Sequence, residues 1–305
     1  MTPDLTVVIL TYNETIHLQR ALDCAKQIAK EIVVIDSYST DDTVDIARAM
    51  GAKVLQHPFV NHARQFQWAL DSVPISTEWI MRLDADEVLE PDLIAEIQQN
   101  LDGIAPDIVG INLKRHHIFL GRKIRFGGRY PLTMLRLWRR GRGHVENRWM
   151  DEHVLVSGGR TITFNGGFAD HNLNDLGFFT QKHNDYATRE AIDILSEKYG
   201  LRSANYQASL PSDVSNNSMK RRIKSSLYNR LYFPVGPVLY FLYRYIILMG
   251  LLDGKEGLIY HTLQGFWYRF LVGAKLFEFE KSLAAAKSTS DIRTKLSLLT
   301  GRDLS

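Results

Sequence analysis

The first hundred residues alternate between two hydrophobic periods. Residues 5–10 and 32–35 are short apolar runs rich in β-branched side chains, which is typical of buried strands. Between them, residues 16–28 place apolar side chains at helical spacing. Further strands are predicted at residues 53–55 and 79–83, and further helices at residues 43–50 and 66–71. Strands alternating with helices predict an α/β fold, with a Rossmann-like, mostly parallel sheet covered by helices on both faces.

The pattern changes after about Asp107. Short strand-like runs separated by Gly- and Arg-rich loops follow at residues 109–113, 134–138, 154–156 and 161–164. A helix is predicted from Phe178 through Tyr199, and an aromatic and basic region extends to about Glu280. We therefore expect a catalytic domain at 1–200, with halves at about 1–107 and 108–200. A helical extension at 201–285 and a polar tail at 286–305 complete the expected organisation.

Polar loops follow three of the predicted strands, at residues 11–14, 36–42 and 84–87. Ligands of parallel sheets bind beyond the carboxyl ends of the strands, where these loops lie. Asp84 and Asp86 are two residues apart, so a turn can direct both carboxylates into one cleft. Two such oxygen donors suit a hard divalent cation that keeps positions open for phosphate oxygens. The alternative for Asp84 and Asp86 is an ordinary solvated acidic loop.

Composition narrows the function classes only slightly. The formal net charge of +3 is nearly balanced and names no partner, and the absence of a recognised motif argues against nucleic acid. The single cysteine, Cys24, excludes an intrachain disulfide and fits a reducing compartment. We see neither a signal peptide before the first strand nor an uncharged apolar run of about 18 residues. These features lead us to expect a cytoplasmic or peripheral protein.

Several motifs in order carry a resemblance to a known family. They are VVILTYNE at 7–14, IVVIDSYSTDDT at 32–43, MRLDADE at 81–87, WMDEH at 149–153, ADHN at 169–172 and the late stretch 251–275. This arrangement resembles the family 2 glycosyltransferases of the GT-A fold. It is similar to the bacterial subgroup that builds lipopolysaccharide core, O-antigen or capsule. The resemblance implies inverting transfer of a hexose from a nucleotide-sugar, with UDP favoured, to a glycan or lipid-linked acceptor.

The resemblance also assigns the donor site. It implies that the nucleotide-sugar contacts Thr11, Tyr12, Glu14, Asp36, Arg64, Asp84 and Ala85. Within that set, Asp36 would accept the N3–H of a uracil, because a carboxylate is an acceptor only. Asp84 would meet the ribose or the metal. Simple packing is the alternative role for Tyr12.

The same resemblance implies a metal and a catalytic base. Asp86 would be the main ligand of Mn²⁺ or Mg²⁺, and His171 a further ligand, with a purely structural histidine as the alternative. Inversion requires one base to take the proton of the acceptor hydroxyl, and Asp151 or Glu152 would supply it. A GT-A protein that binds nucleotide-sugars without turnover is the alternative for the whole chain.

Two basic and aromatic segments concern the acceptor and the membrane. Ten Lys or Arg side chains lie between Lys114 and Arg142, which fits either an anionic acceptor or a solvated loop. Residues 227–252 and 266–279 are rich in aromatic and apolar side chains. Such stretches are typical of helices that lie in a headgroup layer, so we expect a peripheral protein on the cytoplasmic face of the inner membrane. Packing on the catalytic domain or in a dimer is the alternative.

Overall fold

The structure of the chain is a computed structural model that describes residues 2–146, 153–201, 234–286, 288–302 and 304. The N-terminal strands are β1 (Leu5–Thr11), β2 (Glu31–Asp36), β3 (Lys53–Gln56) and β4 (Trp79–Asp84). They pair in parallel in the order β3-β2-β1-β4. The helices between them are α1 (Leu18–Ala25), α2 (Thr43–Ala49) and α3 (His62–Ser72). This half of the sheet is parallel, as the hydrophobic pattern predicts.

Beyond β4 the sheet becomes mixed. The remaining sheet strands are β5 (Glu87–Leu89), β6 (Ile108–Phe119), β7 (Arg122–Ile124), β8 (Leu132–Arg139) and β11 (Arg160–Asp170). Strand β8 pairs antiparallel with both β4 and β6, whereas β6 and β11 run parallel. Strand β5 adds antiparallel to β11, and α4 (Pro91–Asn100) follows it. Strands β9 (Gly143–Val145) and β10 (Val154–Val156) form a separate antiparallel pair.

The core fills both faces of the parallel strands. Val7 and Ile9 contribute to one buried cluster, which also contains Leu22 of α1. Val8 points to the opposite face and joins a cluster with Phe66 of α3. Successive side chains of a strand alternate between faces, so a strand covered on both sides is continuously apolar. Helices therefore cover both faces of the sheet, and the α/β fold class is confirmed.

Contacts divide the chain into two units, Met1–Leu173 and Asn174–Ser305. The second unit contains α5 (Leu176–Lys198), α6 (Val235–Leu242), α7 (Gly254–Tyr260), α8 (Tyr268–Leu283) and α9 (Thr289–Thr300). Helix α5 thus belongs with the C-terminal helices, whereas the sequence pattern places it before a boundary at residue 200.

The predicted polar tail at 286–305 contains helix α9. The side chain of Ser288 accepts a hydrogen bond from the backbone N–H of Asp291 and so caps the start of this helix. Leu296 is fully buried in a cluster with Leu195 of α5 and Phe279 of α8. A few buried apolar residues are enough to dock this otherwise polar helix.

Candidate functional site

The ends of three neighbouring strands lie at one level of the sheet. Thr11 on β1 pairs with Asp36 on β2, and Leu10 pairs with Asp84 on β4. The register therefore places Asp36, Thr11 and Asp84 in a row across the carboxyl edge of the sheet. This arrangement gathers the polar loops that the sequence singled out.

Asp36 is fully buried and accepts hydrogen bonds from four donors. These are Thr11 Oγ1 at 3.1 Å, Gln56 Nε2 at 3.1 Å, and the backbone N–H and hydroxyl of Ser39, with the backbone bond at 2.9 Å. Two carboxylate oxygens offer about four acceptor positions, so these bonds fill them. Asp36 therefore orders the loop after β2, and a uracil N3–H at Asp36 would take the place of one donor.

The loops after β1 and β2 are joined by hydrogen bonds. Asn13, whose φ of 54° lies in the left-handed region, accepts from the backbone N–H of Thr40 at 2.8 Å. The N–H of Asn13 donates to Ser39 Oγ at 2.9 Å, and that of Glu14 donates to Thr43 Oγ1 at 2.8 Å. Tyr12 stands beside these bonds with 58% of its surface exposed. The two loops thus form one ordered rim with an outward-facing aromatic ring.

A buried charge cluster holds Asp84 in place. Arg82 Nε donates to Asp84 Oδ1 at 3.1 Å, and Arg136 donates to Oδ2 at 3.2 Å. The same Arg136 nitrogen also donates to Glu87 Oε1. Glu87 Oε2 in turn accepts the backbone N–H of Asp84 at 2.9 Å. Arg136 and Glu87 are almost completely buried, so this cluster fixes the turn from inside the protein.

The pKa values of the two carboxyl groups move in opposite directions. Burial alone would raise the pKa of Asp84, but the guanidinium groups of Arg82 and Arg136 lower it well below its usual range. Burial raises the pKa of Glu87 to about 8 against the attraction of Arg136, and the charge of Asp84 adds to the rise. At neutral pH, Asp84 is therefore a stable anion at the strand end.

Asp86 lies beside the ADHN motif. Its backbone carbonyl accepts the N–H of His171 at 2.9 Å, and its Oδ2 accepts from Asn172 Nδ2 at 2.9 Å. This proximity follows from the antiparallel pairing of β5 with the end of β11. The structure thus brings together Asp86 and His171, the two residues predicted to bind a metal.

Two residues at the start of α1, His17 and Arg20, hold the loop after β11. Arg20 donates to the carbonyl of His171 at 2.9 Å and contacts its Nδ1 at 3.2 Å. His17 Nε2 accepts the N–H of Leu173 at 2.9 Å, while its Nδ1 lies 2.6 Å from Glu14 Oε2. The sequence pattern alone does not single out either residue as part of the site. Their spacing of three on one helix face, directly after the first motif, was the available signal.

A sequence model described as glycosyl transferase family 2 matches residues 6–165, which is more than half of the 305-residue chain. The chain belongs to glycosyl transferase family 2. The matched stretch includes Asp36, Asp84 and Asp86, so the row of carboxylates lies in the part that carries the family pattern. The GT-A fold expected from the resemblance is confirmed for this family 2 glycosyltransferase.

Relatives of this family 2 chain match it over only part of their length. An uncharacterized glycosyltransferase of Rickettsia bellii is 39% identical over 98 residues, covering 32% of this chain and 33% of the relative. The SPbeta prophage-derived glycosyltransferase SunS of Bacillus subtilis is 33% identical over 113 residues, covering 35% and 26%. The chain thus spans about a third or less of the length of these relatives.

Solved structures give a weaker likeness. Glucosyl-3-phosphoglycerate synthase of Mycobacterium tuberculosis, in complex with Mn²⁺, UDP and glucosyl-3-phosphoglycerate, is 21% identical. The match covers 37% of this chain and 43% of the synthase, with a TM-score of 0.30.

The possible metal ligands around Asp86 suit a cation that needs few ligands from the protein. Among the described residues, no three acidic, histidine or cysteine side chains converge on one point. A cation coordinated mainly by a diphosphate needs only one or two protein ligands, and the half-buried carboxylate of Asp86 meets that need. His171 fits less directly, because the Arg20 N–H at its Nδ1 places the ring proton on Nε2. A metal at His171 would have to displace that proton.

Burial and the nearby positive charge of Arg20 lower the pKa of His171, and His17 contributes to the lowering. His171 is therefore neutral at neutral pH, which is the form that can bind a metal.

The remaining predicted site residues differ in what the structure shows. Arg64 is exposed on α3. The side chain of Ala85 is buried in the core, so Ala85 would meet a donor only through its backbone. Asp151 and Glu152, the predicted base and its alternate, lie outside the described residues. Their assignment stays a prediction.

Much of the basic stretch 114–142 is bound within the protein. Arg139 donates to the carbonyls of Ile104 and Ile108, each within 2.9 Å, and Lys123 pairs with Glu90 at 2.7 Å. Arg136 is committed to the buried cluster. These basic residues therefore have structural roles. The binding of an anionic acceptor by this stretch stays a prediction.

Proposed function

We propose that this chain transfers a hexose from a nucleoside diphosphate sugar, with uridine preferred, to a glycan or lipid-linked acceptor, with inversion at the anomeric carbon. The observation that carries the proposal is the alignment of Asp36 and Asp84 at the carboxyl edge of parallel strands, with Asp86 in the turn that follows. A merely solvated acidic loop would not need the buried Arg136 that holds Asp84. These residues lie in the segment that matches the family, which supports a role in donor binding.

The residues divide the work in the proposed reaction. Thr11, Tyr12 and Asp36 bind the nucleoside, and the anionic Asp84 accepts from a ribose hydroxyl. Asp86 would hold Mn²⁺ or Mg²⁺, and such a cation would supply positive charge to a departing diphosphate. Asp151 or Glu152 takes the proton of the acceptor hydroxyl, which attacks from the opposite side.

The pathway is also part of the proposal. Residues 251–275 and the ADHN motif resemble those of enzymes that build bacterial lipopolysaccharide core, O-antigen or capsule. We place the acceptor in that class of cell-surface glycan, where it is commonly carried on a lipid. An anionic acceptor would suit the basic stretch 114–142.

The donor preference can be measured with the purified full chain. We expect nucleotide release from UDP-sugars in the presence of Mn²⁺ and little release from CDP-sugars, because cytosine lacks the N3–H that Asp36 would accept. Asp36→Asn should reduce the preference of UDP over CDP by about tenfold, as expected for one hydrogen bond to a charged group. The measurement is competition binding with the two free nucleotides. Binding without release from any donor would favour a non-catalytic protein.

Gln56→Ala is the matched control for Asp36→Asn. It removes one donor to Asp36 but keeps the carboxylate. We expect Gln56→Ala to weaken the binding of UDP and of CDP to a similar extent, because it loosens the loop without changing base recognition. If Asp36→Asn also weakens both nucleotides equally, Asp36 only orders the loop.

The catalytic base can be assigned by comparing two variants. We expect Asp151→Asn to lower the transfer rate by at least about a hundredfold, because a positioned base contributes that much, and to leave donor affinity unchanged. Glu152→Gln should stay within a few-fold of the wild type. The reverse result would make Glu152 the base, and full activity in both variants would place the base elsewhere.

A further inference from the structure

Residues 235–259 of the C-terminal unit are here called the inverted segment. Their apolar side chains are mostly exposed and some of their charged side chains are buried, which is the reverse of a helix in a water-soluble protein. Two of its four charged residues, Arg244 and Asp253, are only 2% and 1% exposed, and Glu256 is half-buried. Every side chain that is exposed in this segment is a large apolar or aromatic one, apart from Lys255. These exposed residues are Val235, Val238, Leu239, Leu242, Tyr243, Ile246, Ile247, Met249, Leu251, Leu252, Leu258 and Ile259. Surfaces of monomeric soluble proteins rarely carry large apolar patches, so this density of exposed apolar side chains indicates an interaction surface.

The polar groups of the inverted segment face one another inside the unit. Arg244 donates to Gln264, and its guanidinium lies 5.6 Å from the ring centre of Tyr240 and 5.8 Å from that of Tyr260. Asp253 lies 3.6 Å from the Nε2 of His261, which is itself fully buried. The side chains of Arg244 and Asp253 therefore have their partners within the unit and are withdrawn from the surface. This is the arrangement that a hydrocarbon solvent requires.

Backbone geometry at the bend meets the same requirement. The helical stretch Val235–Ile247 is followed by Leu248 and then by Met249, which has a φ of 58°. The N–H of Leu248 donates to the carbonyl of Tyr243 at 2.9 Å, and that of Met249 donates to the carbonyl of Ile246 at 3.1 Å. These donors at the break are satisfied without water. Backbone groups inside a bilayer must be satisfied internally.

Length distinguishes a re-entrant segment from a spanning one. Among the described residues, no single helix is long and apolar enough to cross a membrane. One bent pair, Val235–Ile247 with Gly250–Leu283, meets the length and composition requirement jointly, with 73° between its arms. The first arm is about 20 Å long at the α-helical rise, which is shorter than a hydrocarbon core of about 30 Å. Within the described part of the chain, this arm is therefore long enough to enter a bilayer but too short to cross it.

We propose that the inverted segment inserts into one leaflet of a lipid bilayer as a re-entrant wedge, with its exposed apolar side chains among the acyl chains and Lys255 at the headgroups. This is deeper than the headgroup position that the sequence pattern led us to expect. Lipid fits better than a protein partner, because protein interfaces keep a polar rim, whereas only Lys255 and Tyr243 among the exposed side chains of this segment carry a polar group. Insertion does not depend on the proposed transfer reaction.

Flotation of the purified full chain with vesicles tests the proposal without any sugar donor. We expect binding both to phosphatidylcholine vesicles and to vesicles of equal parts phosphatidylcholine and phosphatidylglycerol, with little loss at high salt. Ile247→Glu, at a side chain that is 68% exposed, should lower vesicle binding by at least about tenfold, because a carboxylate is costly among acyl chains. Leu298→Glu on α9, 79% exposed, is the matched control and should bind like the wild type. Equal thermal midpoints for the two variants would show that both fold.

Insertion depth can be read from a single attached dye. Cys24 is the only cysteine in the sequence and is buried, so a cysteine at position 247 would be the reactive site. A nitrobenzoxadiazole label on Ile247→Cys should shift to the blue and brighten on vesicles, whereas the same label on Leu298→Cys should not. Unchanged vesicle binding of Ile247→Glu, or an unshifted label at 247, would overturn the proposal. Loss of a dimer in Ile247→Glu, with no vesicle binding by the wild type, would assign the surface to a second copy instead.

Discussion

Replacing Asp86 with alanine is expected to lower sugar transfer by at least about a hundredfold and to abolish its dependence on Mn²⁺. Loss of a bound cation removes several kcal/mol of charge stabilisation from the departing diphosphate, and each 1.4 kcal/mol is about tenfold in rate. Asp86 is half-buried and has its carboxylate bound to Asn172, so the protein should fold without it. The measurement is initial rate against Mn²⁺ concentration for both proteins.

Asn172→Ala is the matched control for Asp86→Ala. It removes the 2.9 Å hydrogen bond to Asp86 Oδ2 but leaves the carboxylate. We expect a loss of only a few-fold, together with a weaker apparent affinity for Mn²⁺, because a supporting hydrogen bond orients a ligand rather than replacing it. A wild-type rate and metal response in Asp86→Ala would contradict the metal assignment.

The hydrophobic pattern was sufficient for the parallel half of the fold. Strands β1, β2 and β4 lie within one or two residues of their predicted bounds, because both faces of these strands are buried and the whole run must be apolar. The carboxyl ends of parallel strands meet at one edge of the sheet. The pattern therefore also predicts that Asp36 and Asp84 lie in a row at that edge, and the register confirms it.

The antiparallel half was harder to predict. Strand β11 runs through Asn165, Gly166 and Gly167, where the sequence pattern ended the strand at Phe164. Gly166 passes directly against the backbone of Leu93 in α4, and a Cβ there would clash with it. Two glycines in a row favour a loop on sequence grounds, and only the tertiary contact shows why a strand needs them.

Residues that act through contacts distant in sequence were also missed. Arg136 belongs to a basic stretch, and such stretches are usually exposed to solvent. Strand β8, which contains Arg136, pairs with β4, and Arg136 is buried against Glu87. His17 and Arg20 are ordinary polar residues of a helix until β11 brings Leu173 and His171 against them. The order of the strands in the sheet decides these pairings, and the local hydrophobic pattern does not determine that order.

Replacing Arg136 with methionine is expected to destabilise the protein by about 3 kcal/mol at pH 10, because Glu87 is ionised there in the wild type and loses its buried opposite charge in the variant. The measurement is urea unfolding of the full chain. Arg160→Met is the matched control, since Arg160 is paired with Asp107 at the surface, where both side chains are more than half exposed. An exposed pair of this kind contributes less than about 1 kcal/mol, so the control should unfold close to the wild type.

The penalty of Arg136→Met should shrink as the pH falls from 10 towards 7. The pKa of Glu87 is already raised to about 8 in the folded wild type, so the folded state binds a proton more readily than the unfolded state between about pH 4.5 and 8. Stability gained from this proton is present at low pH and is lost as the pH rises through the folded pKa. Without the attraction of Arg136 the pKa of Glu87 rises further, so the variant keeps losing stability above about pH 8, where the wild type levels off.

Adding Glu87→Gln to Arg136→Met separates charge from packing. The double variant has no buried carboxylate at this position, so its unfolding free energy should lose the extra pH dependence and exceed that of the single variant at pH 10. A destabilisation that is the same at pH 7 and pH 10 in both variants would mean that Arg136 acts by packing on Phe168, whose ring centre lies 5.2 Å from its guanidinium carbon.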